Sequence, residues 1–382
     1  MSESVLITGA DGYFGSLLTE KYLRHSDNNL LLWLHANNTA DYQFKREKLL
    51  QRYPGYIKRI KIHGGDLRDN NPLDGVKPSE VTSIIHTAAI TRFNVEEQLA
   101  NDVNREGTLK IASFAQTCSC LEQFSFVSTI YSSGLAPGVI EEAPVNASGP
   151  FANHYERSKC EAEYSLQRYF PDLPWNIFRA ATIIADDNSG KVVQYNVFHN
   201  TMRLFFHGLI SLLPGTATTP IYLTTGRSTI DAIFHIVNSQ APNQSIYNVC
   251  YKQHSALTLG ELIDRVFFNF NGSSEFQRKR ILKPLFTDLE AFESLASVLK
   301  GLSGAVVQQA LDSIRPFAKQ LFIDKDPAND RLINAYPDYE TPDMHCLIDN
   351  VIQYLMITKW GREVYKEVNR VRESVVSGVC LN

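Results

Sequence analysis

The sequence predicts an α/β fold: a doubly wound parallel sheet followed by a smaller, mainly helical C-terminal cap. Three observations lead there. Short apolar runs alternate with amphipathic helical stretches over the first half of the chain, the pattern of a parallel sheet covered on both faces. A glycine-rich turn, Thr8-Gly9-Ala10-Asp11-Gly12-Tyr13-Phe14-Gly15, joins the first apolar run to the first helical stretch. Near residue 185 the alternation stops, and the chain becomes rich in Gly, Thr, Asn and Pro before turning helical and aromatic.

In order, the strand candidates are Val5–Thr8, Leu30–Leu34, Ile57–His63, Ser83–His86, Phe124–Ser128 and Trp175–Phe178. Helical periodicity falls between them at Gly15–Arg24, Ala40–Gln51, Asn101–Thr117 and Tyr155–Tyr169. A helix at Thr229–Ser239 and a last sheet-like piece, Ser245–Tyr251, return to the same pattern. The predicted organisation is therefore a nucleotide-binding domain of residues 1–185, rejoined by 227–252. Residues 186–226 and 253–382 form the substrate-binding cap.

Composition narrows the class. Lys and Arg total 37 against 41 Asp and Glu, a net charge of −4, so no electrostatic case arises for a nucleic-acid partner. No apolar run reaches the length of a membrane span. Met1-Ser2-Glu3-Ser4 lacks the basic flank and long apolar stretch of a secretory leader, so a cytoplasmic location is expected. Six cysteines, Cys118, Cys120, Cys160, Cys250, Cys346 and Cys380, show no paired spacing, which predicts reduced thiols and no metal site.

The glycine turn follows a strand and opens a helix, the setting in which such a turn holds a pyrophosphate. Gly9 permits the tight turn, Gly12 the approach of backbone to phosphate, and Gly15 close packing of helix on strand. Free N–H groups and the positive end of the helix then face the anion. Tyr13 and Phe14 belong to the same turn. This makes the sheet one of the Rossmann type.

Cofactor choice is read at the end of the second strand, where a carboxylate would favour NAD and a cation NADP. Leu34 is followed by His35-Ala36-Asn37-Asn38, with Lys45 and Arg46 one helix later, so NADPH is expected ahead of NADH. Asp66, with Leu67, follows the third strand and is placed to meet an adenine amino group. Tyr155 and Lys159 lie one helical turn apart on one face. A lysine cation beside a phenol favours the phenolate and lets the pair exchange a proton with a substrate oxygen. Ser128-Thr129 ends a strand on the side where open parallel sheets bind ligands, so Thr129 can reach the same oxygen.

Together these residues resemble the extended short-chain dehydrogenase/reductase superfamily, in register from residue 1 to about 255. The resemblance rests on the glycine turn, Gly65-Asp66-Leu67, His86-Thr87-Ala88-Ala89, Asn104 with Gly107-Thr108, Val127-Ser128-Thr129, Tyr155-x-x-x-Lys159 and Tyr247-Asn248-Val249. It implies Thr129, Tyr155 and Lys159 as a catalytic triad, with Asn104 as a fourth member in a proton relay. It also implies that Lys159 binds the nicotinamide ribose and that Thr87, Ala88, Ala89, Ala180 and Ile183 line the cofactor.

Phe126–Tyr131 and Asn176-Ile177-Phe178-Arg179 are similar to the thioester-reductase and fatty acyl-CoA reductase branch. His35, Ala180 and Ala185 stand where that branch has arginine, proline and glycine. The branch implies an apolar acyl, polyketide-like or ketone substrate, free or presented on CoA or a carrier protein. Helix-mediated homodimers occur in the superfamily. Asp231 resembles a position that joins cap to core. Phe198, His199, Met202, Phe205, Phe206 and His207 lie at helical spacing, suited to a packed cap core or to a pocket wall.

Two other functions use the same residues. One is an NAD-dependent nucleotide-sugar epimerase or dehydratase; the other is a nucleotide-sensing protein without turnover. The missing strand-end carboxylate argues against the first, and the complete Thr129–Tyr155–Lys159 set against the second.

Overall fold

The computed structural model describes residues 4–239, 241–302, 311–312 and 314–363. The chain divides into two compact units. Unit 1 comprises residues 1–183, 219–256 and 315–341; unit 2 comprises 184–218, 257–314 and 342–382.

Unit 1 is built on a seven-stranded sheet. Its strands are β1 (Ser4–Thr8), β2 (Asn29–His35), β3 (Ile60–Gly65), β4 (Ser83–His86), β5 (Gln123–Thr129), β6 (Trp175–Ala180) and β7 (Ser245–Val249). They stand in the spatial order β3-β2-β1-β4-β5-β6-β7, all parallel. The order reverses between β1 and β4, which opens a crevice at the carboxyl ends of those strands.

Neighbouring side chains point to opposite faces, so each strand feeds two cores. Ile7, Leu30 and Leu32 pack with Leu18, Ile230 and Ile233 on one side. Leu6, Leu31 and Trp33 pack with Ile84, Ile111 and Leu166 on the other. The helices are α1 (Tyr13–His25), α2 (Thr39–Arg52), α3 (Gly107–Thr117), α4 (His154–Tyr169) and α5 (Gly226–Val237).

Two local differences from the sequence reading have physical causes. Pro54 starts a 3-10 turn over Pro54–Arg59, so β3 begins at Ile60 rather than Ile57. The helical stretch before Thr117 is broken by a π-helical turn at Asn101–Glu106. Asn104 within that turn accepts from the Ile90 amide at 2.8 Å and donates to the Ile90 carbonyl at 3.0 Å, pinning the turn to the loop after β4.

Residues 315–341, grouped with the cap in the sequence reading, lie in unit 1. A 3-10 helix (Arg315–Phe322) leads to a short strand, Lys325–Pro327, that pairs in parallel with Gly138–Ile140. A helix at Asp330–Ala335 follows. Polar bonds fix this return. Glu142 accepts from the amides of Asn248 and Leu332, each at 3.1 Å. Asn248 Nδ2 donates to the carbonyls of Ile140 and Ala328, each at 2.8 Å.

Unit 2 has a core of its own. On the helix Val197–Phe206, Phe198, His199, Met202, Phe205 and Phe206 are all buried. Phe206 packs against Phe270, Phe276 and Trp360 at ring-centroid distances of 5.2–5.5 Å. Of the two roles the spacing allowed, these five take the packed core, whereas His207 is exposed.

Candidate nucleotide and reaction site

The glycine turn lies at the crevice. Gly9 has φ +68°, and a Cβ there would stand 2.9 Å from Ala88 Cα. A Cβ on Gly15 would run into the Gly9 carbonyl. Both positions therefore need glycine. Gly12 is the N-cap of α1 and brings no capping side chain, so the first-turn N–H groups stay open to an anion. This cradle fits a pyrophosphate. Tyr13 and Phe14 are half-buried beside it, and the Tyr13 hydroxyl lies against Gly226.

The loop after β4 is fixed to the same turn. Thr8 Oγ1 meets His86 Nδ1 at 2.7 Å, and Thr87 Oγ1 donates to the Thr8 carbonyl at 2.7 Å. The other face of the imidazole meets Thr108 Oγ1 at 3.0 Å. Burial pushes the His86 pKa down to about 3, so it is neutral scaffolding. Ala88 and Ala89 are carried past Gly9 on this loop.

At the far edge, the ionic pattern is richer than the sequence suggested. His35 Nε2 lies 3.4 Å from Asp66 Oδ2. Arg68 grips both carboxylate oxygens of Asp66, from Nε at 3.0 Å and from Nη2 at 2.5 Å. That hydrogen bonding pulls Asp66 down to about 2. Lys45 donates to the His35 carbonyl at 2.6 Å and lies 3.5 Å from Asp11 and 3.4 Å from Asp41. No carboxylate ends β2, yet Asp11, Asp41 and Asp66 gather at this edge from elsewhere. Arg68 escaped the sequence reading; its only signal was its place two residues after Asp66. Leu67 is buried under Gly107, so only its backbone faces outward.

The reaction residues come from two elements. Thr129 ends β5, and Tyr155 and Lys159 lie on α4, whose N-cap Asn153 accepts from the Glu156 amide at 3.0 Å. Burial and the neighbouring Glu156 raise the Tyr155 pKa, while a hydrogen bond with Thr129 lowers it. Lys159 does not pair with the phenol here. Its Nζ donates to the Val127 carbonyl at 2.6 Å and stands 3.9 Å from the Phe126 ring centre. Burial lowers it to about 7. The ammonium is thus held on the strand that ends at Thr129, two residues before it.

The Asn104 side chain is engaged with Ile90 and with Ser158 Oγ at 2.9 Å, so it braces α4 from the side. Ala180, on β6, pairs in register with Thr129. Ile183 lies on the short strand Thr182–Ala185. Asp231 pairs with Lys21 at 2.7 Å, joining two helices of unit 1 rather than linking cap to core. Tyr131, Phe93 and Phe317 are the aromatic neighbours that the sequence did not single out. Phe93 stands 5.7 Å from Tyr155 and stacks on Phe317 at 5.3 Å, and Tyr131 meets Phe317 edge-on at 5.2 Å.

Comparison with known proteins now bears on this geometry. The model of the family described as Male sterility protein matches residues 7–226, more than half of the chain. The chain belongs to that family. It is an extended short-chain dehydrogenase/reductase, and it is similar to the fatty acyl-CoA reductase wat of Drosophila melanogaster, 26% identical over 224 residues. That match covers 48% of this chain and 43% of the relative. The chain spans between 26% and 52% of the length of the curated relatives it matches.

Among solved structures, it shares its fold with the terminal R domain from the myxalamid PKS-NRPS biosynthetic pathway. The TM-score is 0.75 at 18% identity, over 94% of this chain and 92% of that one. It also shares the fold of the dTDP-glucose 4,6-dehydratase of Bacillus anthracis in complex with NAD. There the TM-score is 0.63 at 14% identity, over 94% and 98% of the two chains.

No helix among the described residues is long and apolar enough to cross a membrane. Among the described residues, no group of His, Cys, Asp or Glu could hold a metal ion. Cys118, Cys120, Cys160, Cys250 and Cys346 are free; Cys380 lies outside the described residues.

Proposed function

We propose that the protein is an NADPH-dependent reductase acting on a carbonyl or an acyl thioester. The observation that carries this reading is the placement of Thr129 at the end of β5 and of Tyr155 and Lys159 on α4, in the same unit as the uncapped N-terminus of α1 at Gly12, which suits a phosphate. The cradle of Gly9, Gly12 and Gly15 holds the pyrophosphate, and Thr87 to Ala89 line the adjoining stretch. Bound there, the dinucleotide supplies a hydride to the substrate carbonyl carbon. Tyr155 gives its phenolic proton to the carbonyl oxygen while Thr129 orients that oxygen by hydrogen bonding. Lys159, which lies on the Val127 carbonyl, would bind the nicotinamide ribose and supply positive charge near the phenol. The net reaction converts an acyl thioester to an aldehyde and a thiol, or a ketone or aldehyde to an alcohol.

The likeness to a fatty acyl-CoA reductase and to an R domain supports an apolar acyl group carried on CoA or a carrier protein. His35, Lys45 and Arg68 together support NADPH, since a 2′-phosphate can take over their present carboxylate partners. Substrate selection by residues 186–226 and 253–382, a cytoplasmic setting and a homodimer belong to the same reading. An NAD-dependent epimerase or dehydratase is the second reading. Asp11, Asp41 and Asp66 favour it as acceptors for a ribose hydroxyl, and stoichiometric NAD in the purified protein would select it.

The test is NADPH oxidation with decanoyl-CoA, a carrier-linked decanoyl thioester and decanal. Background rates with all three would refute the reductase. Tyr155→Phe is expected to lower kcat by about 100-fold or more, the scale of a lost general acid. Its Kd for NADPH should stay close to wild type.

A further inference from the structure

The segment 315–327 is fastened to the helix that carries Tyr155, although it matches no motif and lies in the poorly patterned C-terminal third. Its attachment is specific. Asn153, the N-cap of the helix that carries Tyr155, donates from Nδ2 to the Pro316 carbonyl at 3.1 Å. Gln320 Nε2 donates to Glu156 Oε2 at 2.9 Å and to the Gly134 carbonyl at 3.1 Å. Lys325 Nζ donates to Ser133 Oγ at 2.9 Å and to the Gly134 carbonyl at 2.6 Å. Gln320, Lys325 and Glu156 are all buried. The strap is thus bolted to α4 and to the turn after β5 on both sides of Phe317.

What the bolts hold is an aromatic wall. Phe317 stacks on Phe93 at an interplanar angle of 15°, Phe93 leans on Tyr155, and Tyr131 closes the corner. Phe93 and Phe317 are only half-buried, unlike the core aromatics of the sheet. A flat, partly open apolar surface beside a proton donor is suited to the part of a substrate next to its carbonyl. It matches a slender unbranched chain, which can lie along both rings.

We propose that Phe317 is a specificity-determining residue, and that with Phe93 and Tyr131 it forms the wall along which an unbranched apolar chain lies. This rests on the reductase reading for its chemistry, but not for its binding surface. Octanal and propanal are the probes, compared in wild type, Phe317→Ala, Phe317→Leu and Phe317→Tyr. Steady-state turnover gives the octanal-to-propanal ratio of kcat/KM, and calorimetry gives octanal affinity without turnover.

In Phe317→Ala the ratio is expected to fall about tenfold, mainly through KM for octanal, with weaker octanal binding. Phe317→Tyr should restore both, and Phe317→Leu should lie between. Because the ratio is internal to each variant, partial unfolding cancels from it; if the alanine variant does not fold, the leucine variant carries the comparison. An unchanged ratio and unchanged octanal affinity in the alanine or leucine variant would overturn the proposal. Wild type that binds octanal without reducing it removes free aldehydes from the reductase reading and leaves the wall to the binding arm. Wild type that neither binds nor reduces octanal overturns the wall as well.

Discussion

Tyr155 and Lys159 show how far a four-residue spacing reaches. It places both side chains on one face of α4, but cannot say where a flexible ammonium comes to rest. In the structure it rests on the Val127 carbonyl, where burial lowers its pKa to about 7. The sign of the consequence follows. A lysine with a lowered pKa is charged below about pH 7 and neutral above it, so the cation that assists Tyr155 is lost as pH rises through that value. kcat/KM, which reports the free enzyme, should therefore fall above about pH 7 in wild type. Lys159→Arg, whose charge persists, should lose that limb of the profile whatever its absolute rate. Identical limbs in the two proteins would separate Lys159 from the titration. His35 and Lys45 were legible as residues that choose the cofactor, and Asp66 as one that meets its adenine. Their pairing was not, because Asp11 and Arg68 enter it through loop geometry that has no period.

At the scale of elements, the legible part is what periodicity encodes. Each of the six first strands had its apolar run, and the helices between them had their faces. The π-helical turn at Asn101–Glu106 and the 3-10 start at Pro54 were hidden, since both change backbone winding without changing the apolar pattern. Arg179 illustrates a residue whose motif was seen before its work. On β6 it is fully buried against Glu163 of α4, with Nη2–Oε2 at 2.7 Å, and it also donates to the Glu141 and Ala143 carbonyls. Ser128 Oγ donates to the same carboxylate. This cluster ties α4 to β5 and β6, and so sets the height of Tyr155 over Thr129. Arg179→Met strands a buried carboxylate and should cost about 3–5 kcal/mol in denaturant unfolding. The double variant Arg179→Met/Glu163→Leu should recover part of that loss. A cost below about 1 kcal/mol for the single variant, the scale of an exposed pair, would deny the cluster that role.

For the molecule as a whole, the sheet was readable and the path of the chain after residue 252 was not. Residues 315–341 are held by buried apolar side chains such as Ala318, Leu321 and Leu332 and by polar bonds from Gln320, Lys325, Asn329 and Arg331 to distant backbone. Which distant backbone groups those polar side chains reach leaves no local trace in the segment's own sequence. The segment stacks Phe317 on Phe93, which meets Tyr155, so the residue proposed to choose a substrate in unit 1 was outside the reach of pattern reading. The central claim is that the cradle, with Thr129, Tyr155 and Lys159, serves net reduction of an acyl carbonyl. Its most direct test follows a label: decanoyl-CoA is incubated with NADPH deuterated at the transferable C4 position, and the products are weighed by mass spectrometry. The account predicts free CoA thiol and a ten-carbon aldehyde, or its alcohol, carrying deuterium on the former carbonyl carbon. Intact decanoyl-CoA beside unconsumed labelled NADPH would contradict it.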